Sequence, residues 1–242
     1  MAAASLGRLF RSPWAEKSDG ASSEVFSSIS PPNAAQSAQL VKGLRLADRT
    51  LQAPHFFKTG WSAGQRFVEK DDADRMALPW QSPSFVMRKD PVQQRKKTSV
   101  QELFSNDVGD IFARVVRGVL DESDCAELIK CVNVKGFTPA LLNIGGGKQQ
   151  LEPTARNSHR CIVDSEDLSK WLLNVLRPYL PEVLEGGRLV DLNERLRVLC
   201  YTPGQEFGPH YDGCYTRSHE DRARAGDCSM VTVQLYLHDV PE

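Results

Sequence analysis

The chain has 242 residues, 40% of them hydrophobic and 25% charged, with a formal net charge of −1. That length suffices for one sizeable domain with material to spare, and no stretch approaches the ~20 consecutive apolar residues of a membrane span, so no membrane partner is expected. Charge is uneven: residues 1–100 hold 15 Lys and Arg against 9 Asp and Glu, whereas residues 101–242 hold 15 against 22. The basic half is too dilute for a nucleic-acid surface, and the acidic half suits a cation site, a basic substrate or simply a soluble surface.

Residues 1–105 read as a low-order basic N-terminal region, since Ser, Ala, Pro and Gln are frequent and periodicity is weak, as in Ser27–Ser37. At its start Arg8 and Arg11 precede any acid, and Leu6, Leu9 and Phe10 share a face if the segment is helical, a faint transit-like pattern. An ordinary start fits the segment better, so a cytoplasmic or nuclear location is expected, with a mitochondrial or plastid one as the alternative that the transit-like pattern supports. The aromatic spots Phe56-Phe57, Trp61 and Trp80 read equally as partner-docking motifs, patches crossing the following domain, or neither. The basic run Arg88–Lys97 reads as a solvated linker before a nuclear-import patch.

From Val108 the pattern becomes globular. Asp121 or Ser123 can cap a helix that buries Cys125, Leu128, Ile129 and Val132. Ile144-Gly-Gly-Gly-Lys148 lacks phosphate-loop spacing and reads as a flexible loop. Ser165 opens a helix with Leu168, Trp171, Leu172, Val175, Leu176 and Tyr179 on one apolar stripe, ended by Pro178 and Pro181. Gly186-Gly187 is expected to link into a strand over Arg195–Tyr201, and a second strand is expected over Met230–Leu237; both alternate with period two. Thr216–Asp227, rich in charge, reads as a mobile lid or substrate loop, with Glu220-Asp221 toward the substrate. The six cysteines form no Cys-x-x-Cys pair and read as reduced thiols.

Between those two strands lies Tyr201-Thr-Pro-Gly-Gln-Glu-Phe-Gly-Pro-His210-Tyr-Asp212. Side chains at i and i+2 of extended backbone point the same way, so an imidazole and a carboxylate can converge on one cation. That is two-thirds of the facial triad that holds non-heme iron. The tripeptide alone is weak evidence, because with 5 histidines chance supplies about 0.35 such pairs.

The wider segment Arg197-Val-Leu-Cys-Tyr201-Thr-Pro-Gly204-Gln-Glu-Phe-Gly-Pro-His210-Tyr-Asp212 resembles the metal-site segment of Fe(II)/2-oxoglutarate-dependent dioxygenases of the prolyl 4-hydroxylase alpha-subunit type. Val231–Val240 is similar to that family's next core strand, and Val116–Ile129 to its first strand and helix. Arg156-Asn-Ser-His-Arg-Cys is similar to a segment where arginine and serine recur. The resemblance covers roughly residues 110–242. It implies an α+β domain at 106–242, a double-stranded β-helix (jelly-roll) with buttressing helices, truncated before its last core strands. His210 and Asp212 would be metal ligands. Tyr201 and Thr232 would contact 2-oxoglutarate. The implied cofactors are Fe(II), 2-oxoglutarate as co-substrate and ascorbate as reductant. The implied reaction is hydroxylation of a protein or peptide substrate, prolyl first among the candidates, with decarboxylation of 2-oxoglutarate to succinate. The lack of a secretory signal counts against collagen-like and cell-wall substrates.

Two family elements have no counterpart before Glu242: the distal histidine and the Lys or Arg that pairs with the far carboxylate of 2-oxoglutarate. His219 and His238 lie where neither is expected to replace that histidine. The expectation is an incomplete catalytic domain, from a truncated gene model, a splice form or a fragment. Two outcomes stay open: an oxidoreductase, or a catalytically incomplete binding or regulatory module with the same fold.

Overall fold

A computed structural model describes the backbone of residues 2–11 and, with side chains, residues 54–68, 79–87, 98–103, 112–218, 221 and 223–238. Ser27–Ser37, Arg88–Lys97, His219 and Glu220 lie outside the described residues. In chain order the strands are β1 (Ala2–Arg11), β2 (Arg66–Val68), β3 (Ser99–Glu102) and β4 (Arg114–Arg117). After helix α1 (Glu122–Lys135) come β5 (Thr138–Pro139), β6 (Leu142–Gly145), β7 (Lys148–Gln150) and β8 (His159–Asp164). Helix α2 (Glu166–Leu176) is followed by β9 (Val183–Leu184), β10 (Gly187–Leu192), β11 (Arg195–Cys200), β12 (Asp227–Cys228) and β13 (Thr232–Tyr236). The fold is mixed α+β, with few helices and antiparallel strand pairing throughout the named ladders.

Both helices start where their polar caps dictate. The Asp121 carboxylate accepts from the Asp124 backbone N–H at 2.8 Å, and the Ser165 hydroxyl from that of Leu168 at 3.2 Å. Each satisfies a donor that the first turn leaves unpaired. Helix α2 buries Leu168, Trp171, Leu172, Val175 and Leu176, the stripe its periodicity implies, and also Leu173. Pro178 does not end it abruptly; the chain tightens into a 3-10 turn over Arg177–Tyr179, which leaves Tyr179 outside the helix. Gly136 ends α1 at φ 91°, a conformation open mainly to glycine. The core formed by α1, α2 and the large sheet centres on Phe85, Val132, Val163, Leu172, Leu192 and Leu196, with the Phe85 ring tilted at 47° against Trp171, 4.6 Å between ring centroids.

Eight strands make the large sheet, ordered β5-β8-β11-β1-β10-β9, with β12 and β13 also paired to β1. Strand β1 runs antiparallel to β11 over Ala2–Ser5 and to β10 over Arg8–Arg11. Along its other side it meets β13 over Ala3–Gly7 and β12 over Phe10–Arg11. Two smaller sheets, β2-β7-β6 and β3-β4, complete the described fold.

Several expectations change here. Part of the expected low-order region is built into sheets, since β1, β2 and β3 all lie within residues 1–105. Ala2–Arg11 is extended, so Leu6, Leu9 and Phe10 share no helical face. The aromatic spots cross the domain: Phe57 N–H donates to the Phe137 carbonyl at 2.9 Å, Phe56 lies against His159 at 4.6 Å between rings, Trp61 packs near Phe67, and Trp80 lines the main core. The triple glycine is a hairpin turn between β6 and β7, with φ of 83°, 59° and 67° at Gly145, Gly146 and Gly147. Glu185-Gly186, both with positive φ, form the turn from β9 to β10. That hairpin inserts β10 where a plain linker was expected.

Candidate metal centre

The strand expected over Arg195–Tyr201 is β11, and it delivers the chain to the turn at Thr202–Gln205, where the Gln205 N–H donates to the Thr202 carbonyl at 3.0 Å. Gly204 sits there at φ 84°. The chain then runs beside the Ala155–Ser158 segment. Asn157 N–H donates to the Glu206 carbonyl, Glu206 N–H to the Asn157 side chain at 2.6 Å, and Gly208 N–H to the Ala155 carbonyl at 3.0 Å. This two-way stitching fixes the approach to His210.

The His210 ring is held on two sides. It stacks on Phe207 with 3.6 Å between centroids and a 22° interplanar angle, and its Nδ1 lies 2.8 Å from the Gly208 carbonyl. That carbonyl can only accept, so Nδ1 carries a proton, and in the neutral ring Nε2 presents a lone pair. Nε2 is 3.5 Å from Asp212 Oδ1. For metal–ligand bonds of about 2.1 Å that separation subtends roughly 110°, an angle one divalent ion can accept. The other Asp212 oxygen, Oδ2, accepts from the Thr232 hydroxyl at 2.6 Å. Thr232, expected near a co-substrate, thus orients the carboxylate from the first position of β13. A metal-binding histidine and carboxylate commonly each have such an orienting partner. The pair is solvent-accessible, and the intervening Tyr211 is 92% exposed.

Arg156 is the neighbour that motif reasoning undervalued. Its guanidinium lies 4.4 Å over the Phe207 ring, on which His210 also stacks, and its Nε donates to Ser158 Oγ at 3.2 Å. It shares a side-chain hydrogen bond with Tyr201 and feels both the Arg197 cation and the Asp212 carboxylate. Burial is the main force pulling its pKa below the usual arginine value. The cue in sequence was the register of two segments 50 residues apart, which periodicity cannot supply.

Between Thr216 and Asp227 the described residues Arg217, Asp221, Arg224 and Asp227 are tied to the fold. The Arg217 side chain is 5% exposed and clasps Glu194 with both terminal nitrogens, while Arg217 N–H donates to the Asp227 carbonyl at 2.9 Å. The hydrogen-bonded guanidinium holds the Glu194 carboxyl down at about 2. Arg224 adds ion pairs to Asp221 at 3.0 Å and Asp191 at 3.4 Å. Counting charges along the sequence could not show that one arginine turns inward.

His238 follows β13, while Asp212 and His210 precede these tied residues; the structure brings His210, Asp212 and Thr232 together, with Arg156, Tyr201 and Phe207 alongside. Among the described residues no group of three or more His, Cys, Asp or Glu is placed to hold a metal ion. No described helix is long and apolar enough to cross a membrane. No family model, curated protein or solved structure matches the chain.

Proposed function

We propose that residues 106–242 form a domain of the Fe(II)/2-oxoglutarate-dependent dioxygenase type, with a double-stranded β-helix as its organising plan and a protein or peptide, prolyl side chains first, as its substrate. The observation that carries this reading is the orientation of the His210–Asp212 pair: each side chain is tied by a separate partner, so that Nε2 and Oδ1 face one point 3.5 Å apart. His210 and Asp212 would hold Fe(II), which, with 2-oxoglutarate and oxygen, supplies the oxidising chemistry, and ascorbate would serve as reductant.

The chain's own contribution is orientation and charge. The Gly208 carbonyl keeps the His210 proton on Nδ1, and Thr232 fixes the carboxylate rotamer. Arg156 stands within reach of the Arg197 cation, the Tyr201 hydroxyl and the Asp212 carboxylate. A dicarboxylate such as 2-oxoglutarate carries the charge opposite to that of Arg156, and Arg156 with Tyr201 would receive it through charge-assisted hydrogen bonds. The exposed Tyr211 and the open face of the pair leave room for a peptide.

The second reading is a binding or regulatory module on the same fold, and it is favoured by the ligand count among the described residues, since two side chains hold Fe(II) less firmly than three. Cobalt(II) titration, read by its visible absorption, tests the centre: wild type should give a saturable signal that H210A and D212A lose. Equal titrations in all three proteins refute the metal site. Succinate release from 2-oxoglutarate with Fe(II) and ascorbate then separates the two readings, because a module binds metal without it.

A further inference from the structure

Strand β1 occupies an unusual place. On one side it pairs successively with β10 and β11, and on the other with β12 and β13. Ala2 through Ser5 lie opposite Cys200 through Arg197, and Ala3 through Gly7 lie opposite Tyr236 through Thr232. No ladder joins β11 directly to β13. At about 4.8 Å between neighbouring strands, the two therefore stand roughly 9.6 Å apart across β1. Without β1, both would present rows of unpaired N–H and C=O groups facing a slot one strand wide.

The segment that fills the slot has little tendency of its own to be a strand. Ala2-Ala-Ala-Ser-Leu-Gly-Arg-Leu-Phe-Arg11 contains three alanines and a glycine, and Phe10 is its single β-branched or aromatic residue, the kind that favours extended backbone. Its ladder also shifts register between Leu9 and Phe10. Its extension comes from backbone groups on either side.

We propose that residues 2–11 are a detachable strand, and that the slot between β11 and β13 is a strand-binding site whose occupant is this chain's own N-terminal segment. Docking has a consequence for the candidate centre. Gly7 pairs with Thr232, and Ala2 with Cys200, the residue before Tyr201. Strand β1 is thus the piece that holds the strand bearing Thr232 beside the strand that leads to Tyr201, His210 and Asp212. This link to the metal pair rests on the reading given above; the docking itself does not.

The test uses the full chain carrying A4P. Ala4 pairs with Val198 on one side and Leu235 on the other, so proline there deletes a donor inside the slot and undocks the strand. Hydrogen exchange should show those amides of Val198–Cys200 and Val233–Tyr236 that donate to β1 losing protection, while the alternate β11 amides that donate to β8 and those of helix α2 keep their own. A fluorescent peptide of residues 2–11 should bind A4P saturably, at least about tenfold more tightly than wild type, whose slot is already filled by mass action, and should restore the lost protection. The same peptide carrying the proline should not bind. Unchanged exchange in A4P, or no peptide binding by a variant that remains folded, overturns the proposal. Should A4P lose its fold altogether, wild type decides: protected Ala3–Gly7 amides that become exposed under excess peptide, with α2 unaffected, support a detachable strand, and amides exposed from the outset overturn it. Cobalt(II) titration of A4P with and without peptide separately reads the link to His210 and Asp212, and can fail without touching the exchange result.

Discussion

Replacing Glu194 by glutamine isolates the clasp that anchors the loop between Asp212 and β13. In the wild type the carboxylate accepts from both terminal nitrogens of Arg217, at 2.9 Å for the first, and Arg224 stands 3.8 Å away. The carboxyl is held at about 2 against an ordinary 4.5, chiefly by the Arg217 hydrogen bonds. Taken whole, a drop of that size corresponds to roughly 3.4 kcal/mol at 1.36 kcal/mol per unit. The Glu194 side chain is 27% exposed, and solvent screening reduces the figure to about 2 kcal/mol. E194Q keeps the shape and one acceptor but leaves the buried Arg217 with only the longer ion pair to Asp221, at 3.6 Å, as countercharge. Urea unfolding at pH 7 should therefore find E194Q less stable by about 2 kcal/mol. Because the folded pKa is depressed, this stability is fully present above the unfolded value and is lost as pH falls toward the folded one. The gap between wild type and E194Q should close by about 0.8 kcal/mol by pH 4 and continue closing toward pH 3. A gap under 0.5 kcal/mol at pH 7, or one that stays constant down to pH 3, refutes the claim that this ion pair carries the loop.

Three further outcomes are expected. T232V keeps the shape of the side chain but removes the donor to Asp212, and should weaken cobalt(II) binding by about 10- to 100-fold with the circular dichroism spectrum unchanged; an unaltered titration would show that Asp212 needs no orienting partner. F85A empties a fully buried site against Trp171 and should cost about 3–5 kcal/mol in urea unfolding, a loss that E194Q does not approach. Burial, with Asp121, Asp124 and Glu122 nearby, raises the Cys125 thiol to about 11; at pH 8 it holds roughly a hundredfold fewer thiolates than an ordinary cysteine, so peptide mapping after iodoacetamide should find the exposed Cys214 labelled well before it.

What could be read from the sequence was local. Ser165 and Asp121 announce their helices because a side-chain oxygen reaches only three residues along the chain, and the α2 stripe follows from the helical repeat alone. The alternation in Arg195–Cys200 and Thr232–Tyr236 likewise marks strands whatever their partners. His210 and Asp212 were legible because two residues of extended chain bring them together. Strand β1 was not, since Ala-rich sequence has no period and its pairing energy comes from strands some 190 to 230 positions away. Arg156 and Arg217 were hidden for a related reason: whether an arginine faces water or turns inward depends on segments distant in sequence.

The central position of β1 also sets a schedule for synthesis. Its residues are made before all of their ladder partners, the last of which, Tyr236, follows Ala3 by more than 200 positions. At about 5–20 residues per second, the segment waits roughly ten to fifty seconds before its site exists. An aliphatic, β-prone segment exposed that long on a ribosome would invite pairing with neighbouring nascent chains. Alanine, glycine and two arginines make it a poor aggregation seed, so the composition that leaves β1 weak as a strand is also what lets it wait.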